Sequence, residues 1–432
     1  MLYQGQSISS TGHLLIGGMD TIQLAQQYGT PLYLLDEDQI RQNCRRIFAS
    51  MKTAFGGNAM PLYAGKALCF KGIYPIIEQE GFGADVVSPG ELYTALKAGF
   101  PAGKLYYHGS AKSVEDIRFG IENSVGTFVV DNEEELDRIS AAAESSGIRQ
   151  KILIRVTPGI EPHTFEAVRT GQVDSKFGAV IENGQADHLV QVALNLPGIE
   201  LRGFHCHIGS QIFDAKPYLD AAEIMLRFMA EIKKRYGYQT QELDLGGGFG
   251  VRYTEEDPVI DISSMLEKLG AFVCRYCLEH GISCPKILLE PGRSIVAEAG
   301  TTLYTIENIK TIPGYRTYVS VNGGMTDNPR FALYRAKYRA CLAAKADQPQ
   351  TRTVTIAGRC CESGDLLGKD MKLAEPKTGD ILAVFTTGAY NYSMASNYNR
   401  VCRPPIVLIR GGNAHLAVRR ETYEDLLNCD LG

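Results

Sequence analysis

Between about residue 60 and residue 290, short apolar or β-branched runs alternate with longer segments whose apolar residues recur at helical spacing. The strand candidates are Pro61–Lys66, Ala84–Ser88, Leu105–Gly109, Thr127–Asp131, Lys151–Val156, Leu201–His207, Glu242–Gly246 and Lys286–Glu290. Most run straight into Gly, Pro, Ser or Asp, as strands entering loops do. The segments between them read as helices, for example Gly90-Glu-Leu-Tyr-Thr-Ala-Leu-Lys-Ala. Eight such units in series predict a (β/α)8 barrel of the TIM type, with an open doubly wound sheet as the alternative. Lys66, Ser88, His207, the Gly246–Gly248 run and Glu290 all fall at the C-terminal ends of candidate strands. Those ends converge on one face in a barrel and spread apart in an open sheet, so the pattern favours the barrel.

After Arg293 the texture changes. The runs Thr302–Ile309, Tyr315–Val321, Thr351–Ile356, Asp380–Phe385 and Pro405–Arg410, with turn residues between them, predict a second, all-β domain of barrel or sandwich type. A short strand candidate at Pro31–Leu35 precedes the barrel and is expected to join the β domain. The expected division is a barrel over residues 38–292, with residues 1–37 and 293–432 forming the β domain.

The bulk numbers narrow the function classes. The 432 residues suffice for a barrel and a second domain, and 44 basic against 49 acidic side chains leave a net charge of −5. A mildly acidic chain is a poor partner for nucleic acid or an anionic membrane surface. No run of about 18 apolar residues is present, and the first residues lack a signal-peptide pattern, so a cytoplasmic protein is expected. The 11 cysteines show no paired spacing and read as reduced thiols.

Candidate chemistry begins at Lys66. On position alone, a lysine reaching solvent from a strand end is the stronger reading. Its company changes that. Asp85, at the next strand's end, can orient or balance the lysine charge. His207 can lay its ring on a planar cofactor, and Ser210 can donate a hydroxyl to a phosphate. The backbone of Gly246, Gly247 and Gly248 can approach an anion closely. Glu290, followed by Gly292 and Arg293, can face a pyridine nitrogen and keep it protonated. Together these suit pyridoxal 5'-phosphate, which offers an aldehyde, a ring, a ring nitrogen and a phosphate. His205 and His207 have the alternation of a metal pair, but no third ligand stands at useful spacing, so no metal is expected. Gly358-Arg-Cys-Cys361-Glu362-Ser-Gly-Asp365 and the Tyr390-Asn-Tyr392 loop are polar, glycine-flanked segments of the β region.

These segments, in order, resemble the fold-type III pyridoxal-phosphate decarboxylases, and within them the diaminopimelate decarboxylase family. The resemblance covers nearly the whole chain. It runs through Tyr63-Ala-Gly-Lys66, Gly83-Ala-Asp-Val-Val-Ser-Pro-Gly, Arg155-Val-Thr-Pro-Gly159, Thr170-Gly-Gln-Val-Asp-Ser-Lys-Phe-Gly178 and His205-Cys-His-Ile-Gly-Ser210. It continues through Glu290-Pro-Gly-Arg293, Gly323-Gly-Met-Thr-Asp-Asn-Pro-Arg330, Cys361-Glu-Ser-Gly-Asp365 and Ser393-Met-Ala-Ser-Asn-Tyr398. It implies that Lys66 carries the cofactor and that Asp85, His207, Ser210, the glycine run, Glu290, Gly292, Arg293 and Tyr390 surround it. It further implies that Arg293, Arg330, Tyr334, Glu362 and Tyr390 bind the substrate, and that Cys361 is the proton donor. The implied reaction is decarboxylation of meso-2,6-diaminopimelate to L-lysine, the closing step of lysine biosynthesis. Cys361 and Glu362 would reach the site of a neighbouring subunit in a homodimer. A lid is expected between residues 158 and 178. Asn322 where Asp is commoner, Phe331 where Pro is commoner, and the second thiol Cys360 depart from the family pattern.

Overall fold

The computed structural model describes residues 4–160 and 176–431. These form two compact units, one of residues 43–250 and 259–292, the other of residues up to 42, 251–258 and from 293 onward.

In the first unit, strands and helices alternate, save for a two-residue strand at Ala179–Val180 that pairs with Val156 and Thr157. The order is β1 (Ala59–Ala64), α1 (Ile73–Gln79), β2 (Gly83–Val86), α2 (Pro89–Lys97), β3 (Leu105–Tyr107), α3 (Val114–Glu122), β4 (Thr127–Val130), α4 (Glu133–Ser145) and β5 (Gln150–Thr157). It continues with α5 (Gln185–Asn195), β6 (Ile199–His205), α6 (Lys216–Tyr236), β7 (Glu242–Asp244), α7 (Ile262–Glu279) and β8 (Lys286–Leu289). Every neighbouring pair is parallel, β8 pairs with β1, and β4 pairs with β5, so the sheet closes on itself. The helices start where the chain supplies caps. Ser88 accepts from the Glu91 N–H, Ser113 forms a capping box with Asp116, and Asn132 accepts from the Glu135 N–H.

Leu62, Tyr106, Val129, Leu153 and Leu288, from five different strands, form one buried cluster. Full burial of each apolar side chain is worth about 1.5–3 kcal/mol before entropy. The interior is therefore filled, and binding groups can be offered only at its end.

Except for β5, which runs to Thr157, the observed strands stop earlier than the sequence pattern suggests. Lys66 lies past β1 in a short 3-10 turn, Gly65–Ala67. Ser88 caps a helix rather than ending a strand. His207 follows β6 by two residues and Glu290 follows β8 by one. Apolar character continues while the backbone has already turned out of the ladder, and that turn delivers the polar groups.

In the second unit the sheet order is Leu366–Leu373, Arg352–Ala357, Arg316–Val321, Gly300–Ile312, Leu32–Asp36, Ile406–Arg410 and Asn413–Val418. Ile381–Phe385 joins Gly300–Ile312 and carries Ala340–Leu342 on its other side. Leu32–Asp36 sits between an antiparallel and a parallel partner. A small sheet of Gln6–Ile8, Leu14–Ile16 and Met19–Asp20 stands apart from these pairings. Among the described residues, no helix is long and apolar enough to cross a membrane.

Candidate active site

At the C-terminal ends of the barrel strands lies a cavity of about 510 Å³ lined by Lys66, Asp85, Arg155, His205, His207 and Glu290, with Tyr107, His108, Lys112 and Phe177 also on its wall. The turn bearing Lys66 presses so closely on β2 that a Cβ on Gly65 would lie 2.9 Å from the Asp85 carbonyl oxygen. Glycine at 65 thus permits the approach that places the lysine beside Asp85.

Glu290 is 4% exposed. His108 Nε2 lies 3.0 Å and His205 Nε2 3.3 Å from its Oε1, though neither contact is aligned as a good hydrogen bond. Burial pushes the Glu290 carboxyl up, but attraction from His108 first and His205 second outweighs it and holds the group well below the ordinary range. Burial also pushes His205 down to about 4, leaving it a neutral ring at neutral pH. His108, the nearer, is then the main partner.

Two further buried carboxyls share this region. Burial raises Asp85, and burial with the Glu290 charge raises Asp244 well above the ordinary value. Neighbouring buried carboxyls cannot all ionise cheaply. Of the three, Glu290 is the one whose ionised form its neighbours favour.

His207 is held from behind. Gly247 donates its N–H to Nδ1 at 3.2 Å, so a neutral ring carries its hydrogen on Nε2. Burial, then the Lys66 charge, pushes His207 well below its ordinary pKa. The Gly246 N–H donates to Asp244 Oδ1 at 2.8 Å. The run has no room for side chains: a Cβ on Gly247 would stand 2.1 Å from the Glu290 carbonyl oxygen, and one on Gly248 2.3 Å from that of Gly209. Gly292 is pressed on β1 in the same way, 2.8 Å from the Ala64 Cβ. Ser210 is half-buried in the bend after β6.

These residues fit pyridoxal phosphate. A lysine and a charged carboxylate line one cavity, and Glu290 Oε1 is a buried acceptor without a well-aligned donor. Beside them the glycine run keeps the backbone bare, as a phosphate requires.

His108 is the residue that sequence spacing misses. With His205 and Glu290 it forms a group of three metal-type ligand atoms within 4.8 Å of one another, a group that includes His205 but not His207 of the local pair. The same carboxylate is what a pyridine nitrogen needs, and the two histidines fix its position.

The other unit holds a second cluster. Arg293 Nη1 donates to the Tyr253 hydroxyl at 2.6 Å, and its guanidinium lies 4.6 Å from the centre of the Tyr390 ring. The Arg330 guanidinium stacks 4.8 Å from the Tyr253 ring and donates to the Tyr338 hydroxyl at 2.8 Å. Both arginines are buried, and Arg330 has no carboxylate partner among the described residues. Arg293, Arg330 and Tyr390 are thus brought together through Tyr253 and Tyr338, neither of which carries a motif. Tyr334 ends the short helix that Arg330 begins and is 38% exposed. Cys361 is exposed, its N–H bonded to Asn399 Oδ1 at 2.8 Å, and Glu362 accepts from the Gly364 N–H at 3.1 Å. Burial and Asp365 push the Cys360 thiol up to about 12. Asn322 accepts from the Thr305 N–H and donates to the Thr30 hydroxyl, a dual role an ionised Asp could not fill. Most of the expected lid and of the Thr170–Gly178 motif lies outside the described residues.

Residues 39–297 match the model of the pyridoxal-dependent decarboxylases, pyridoxal binding domain. The diaminopimelate decarboxylase of Bacillus subtilis is 47% identical, covering 97% of this chain and 95% of its own. That of Bacillus methanolicus is 48% identical over 98% of each chain. The structure of diaminopimelate decarboxylase from M. jannaschii in complex with L-lysine superimposes with a TM-score of 0.91 at 34% identity, covering 100% of this chain and 99% of that one. The fold and cavity are those of a pyridoxal-phosphate-dependent decarboxylase. Within that class, the chain belongs to the diaminopimelate decarboxylase family.

Proposed function

We infer that the protein decarboxylates meso-2,6-diaminopimelate to L-lysine and CO2 with pyridoxal 5'-phosphate. The observation that carries the reading is the buried Arg330 guanidinium, held by the Tyr338 hydroxyl and the Tyr253 ring and offering its charge to a carboxylate. Diaminopimelate has a distal carboxylate for it; ornithine does not. Arg293 and Arg330 grip that carboxylate, Glu362 the distal ammonium, and Tyr334 and Tyr390 flank the substrate.

When bound, the protonated pyridine ring draws electrons from the substrate α-carbon so that CO2 can leave. Lys66 Nζ is its attachment point. His207 offers a neutral ring face, which avoids repulsion with a cationic ring. Glu290 would accept from the ring nitrogen, and Ser210 with the Gly246–Gly248 backbone, bounded by Gly292, would hold the phosphate. Asp85 beside Lys66 balances its charge. Cys361 Sγ delivers the proton that replaces the carboxylate. Its exposure on its own chain, with that of Glu362, supports a homodimer in which each subunit completes its partner's site. The free cysteines among the described residues support a reducing, cytoplasmic setting. Lysine formation by cofactor-loaded protein tests the reading. Stoichiometric L-lysine and CO2 from meso-diaminopimelate are expected; CO2 without lysine would overturn it.

A further inference from the structure

Three thiols cluster far from the reaction. Cys274 and Cys277 stand three residues apart on α7, one helical turn, and so share a face. After α7 the chain reverses through Gly281, whose φ of +61° suits the turn, and the Ile282 N–H donates to the Cys277 carbonyl at 3.0 Å. This brings Cys284 back to the helix end that carries Cys277 and Cys274, whose thiols are the neighbours that act on its own. Asn58 holds the Cys284 carbonyl from the other side at 3.4 Å. Cys284 and Cys274 are exposed, and Cys277 is 3% exposed.

We propose that Cys284, with Cys277 behind it, is a thiol–disulfide exchange site that accepts a low-molecular-weight disulfide and closes to an internal Cys277–Cys284 bond. The chemistry needs an accessible nucleophile and a resolving thiol within reach, and these two cysteines divide those roles by burial. The neighbouring thiols, Cys277 foremost, lower the Cys284 thiol, while the same contact pushes Cys277 up. In the first step the Cys284 thiolate attacks one sulfur of RSSR, forming a mixed disulfide and expelling RS⁻. In the second, Cys277 loses its proton to solvent and attacks the Cys284 sulfur, expelling the other thiolate. Two protein thiols are oxidised, and one RSSR becomes two RSH.

A metal is the weaker occupant. The sole compact group of three metal-type ligands among the described residues is His108, His205 and Glu290. Cys284 precedes β8, whose other end leads to Glu290, so the thiols lie at the end of that strand opposite the cavity.

The test exposes the holoenzyme to excess glutathione disulfide and follows it by intact mass and peptide mapping. A transient glutathione adduct on Cys284 is expected, replaced by a Cys277–Cys284 disulfide with net loss of two hydrogens. Cys284→Ser should abolish the internal bond, and Cys277→Ala combined with Cys274→Ala should arrest the reaction at the adduct. Because Cys284 is exposed, its serine variant is expected to fold; circular dichroism checks this. A persistent adduct on Cys284 in the unmutated protein would overturn the proposal. So would labelling of Cys284 no faster than of exposed Cys429.

Discussion

Arg293 donates a 2.6 Å hydrogen bond to the hydroxyl of Tyr253, while Arg330 stacks on the same ring. Burial pushes the Tyr253 phenol up, but the two guanidinium charges outweigh it and lower its pKa. One side chain thus sets the position of both cations. Tyr253→Phe keeps the ring and removes the acceptor. A hydrogen bond to a charged group is worth about 1.5–3 kcal/mol, so KM for meso-diaminopimelate should rise about tenfold or more, with kcat little changed. Steady-state kinetics on both parameters check this; an equal fall in kcat would place Tyr253 in the chemical step instead.

Gly247 separates the His207 ring from the Glu290 backbone. Gly247→Ala would put a methyl 2.1 Å from the Glu290 carbonyl oxygen, which must then move. Such overpacking costs about 1–3 kcal/mol and here falls on two groups that are proposed to face the cofactor. Cofactor affinity should weaken at least about tenfold. Titration of the apoenzyme with pyridoxal phosphate, followed by absorbance, reads it.

Glu91 accepts from the Val87 N–H at 2.9 Å, and burial, with Asp85 nearby, raises its pKa from 4.5 to about 7. The folded state therefore binds its proton more tightly than the unfolded state. Stability from this group falls as pH rises from about 4.5 to about 7 and is flat above that. Glu91→Gln keeps an acceptor for Val87 and removes the charge. It should stabilise the apoenzyme at pH ~8 by about 1–3 kcal/mol and have little effect at pH ~4.5. Denaturant melts at the two pH values measure the difference.

The shared-site reading makes a complementation prediction. Lys66→Ala and Cys361→Ser should each be inactive alone. Mixed and reassembled, random hybrids carry one site with both native residues, so up to about a quarter of native activity should return. No recovery, with hybrids confirmed by native mass spectrometry, would place Cys361 in its own subunit's site.

The barrel is legible in the sequence because each apolar run is bounded by turn residues and followed by a capped helical pattern, as at Ser88, Ser113 and Asn132. Strand ends are less so, because Gly65 and Cys206 continue the small or apolar texture after the ladder has stopped. Leu366–Leu373 escapes notice for another reason: its burial does not alternate, its pairing shifts register, and Asp370 has a φ of +53°. His108, Tyr253 and Tyr338 carry no local signal. His108 acts through Glu290, distant in sequence, and Tyr253 through Arg293, 40 residues on. Their roles exist only once the chain is folded.

The central claim is that a two-arginine grip selects a substrate with a distal carboxylate. The direct measurement is CO2 release by the cofactor-loaded protein from meso-diaminopimelate, L-ornithine, L-arginine and D-lysine side by side. Turnover of meso-diaminopimelate alone, lost in Arg330→Met, is the expected result. Turnover of ornithine, arginine or D-lysine at a comparable rate, unaffected by Arg330→Met, would contradict it.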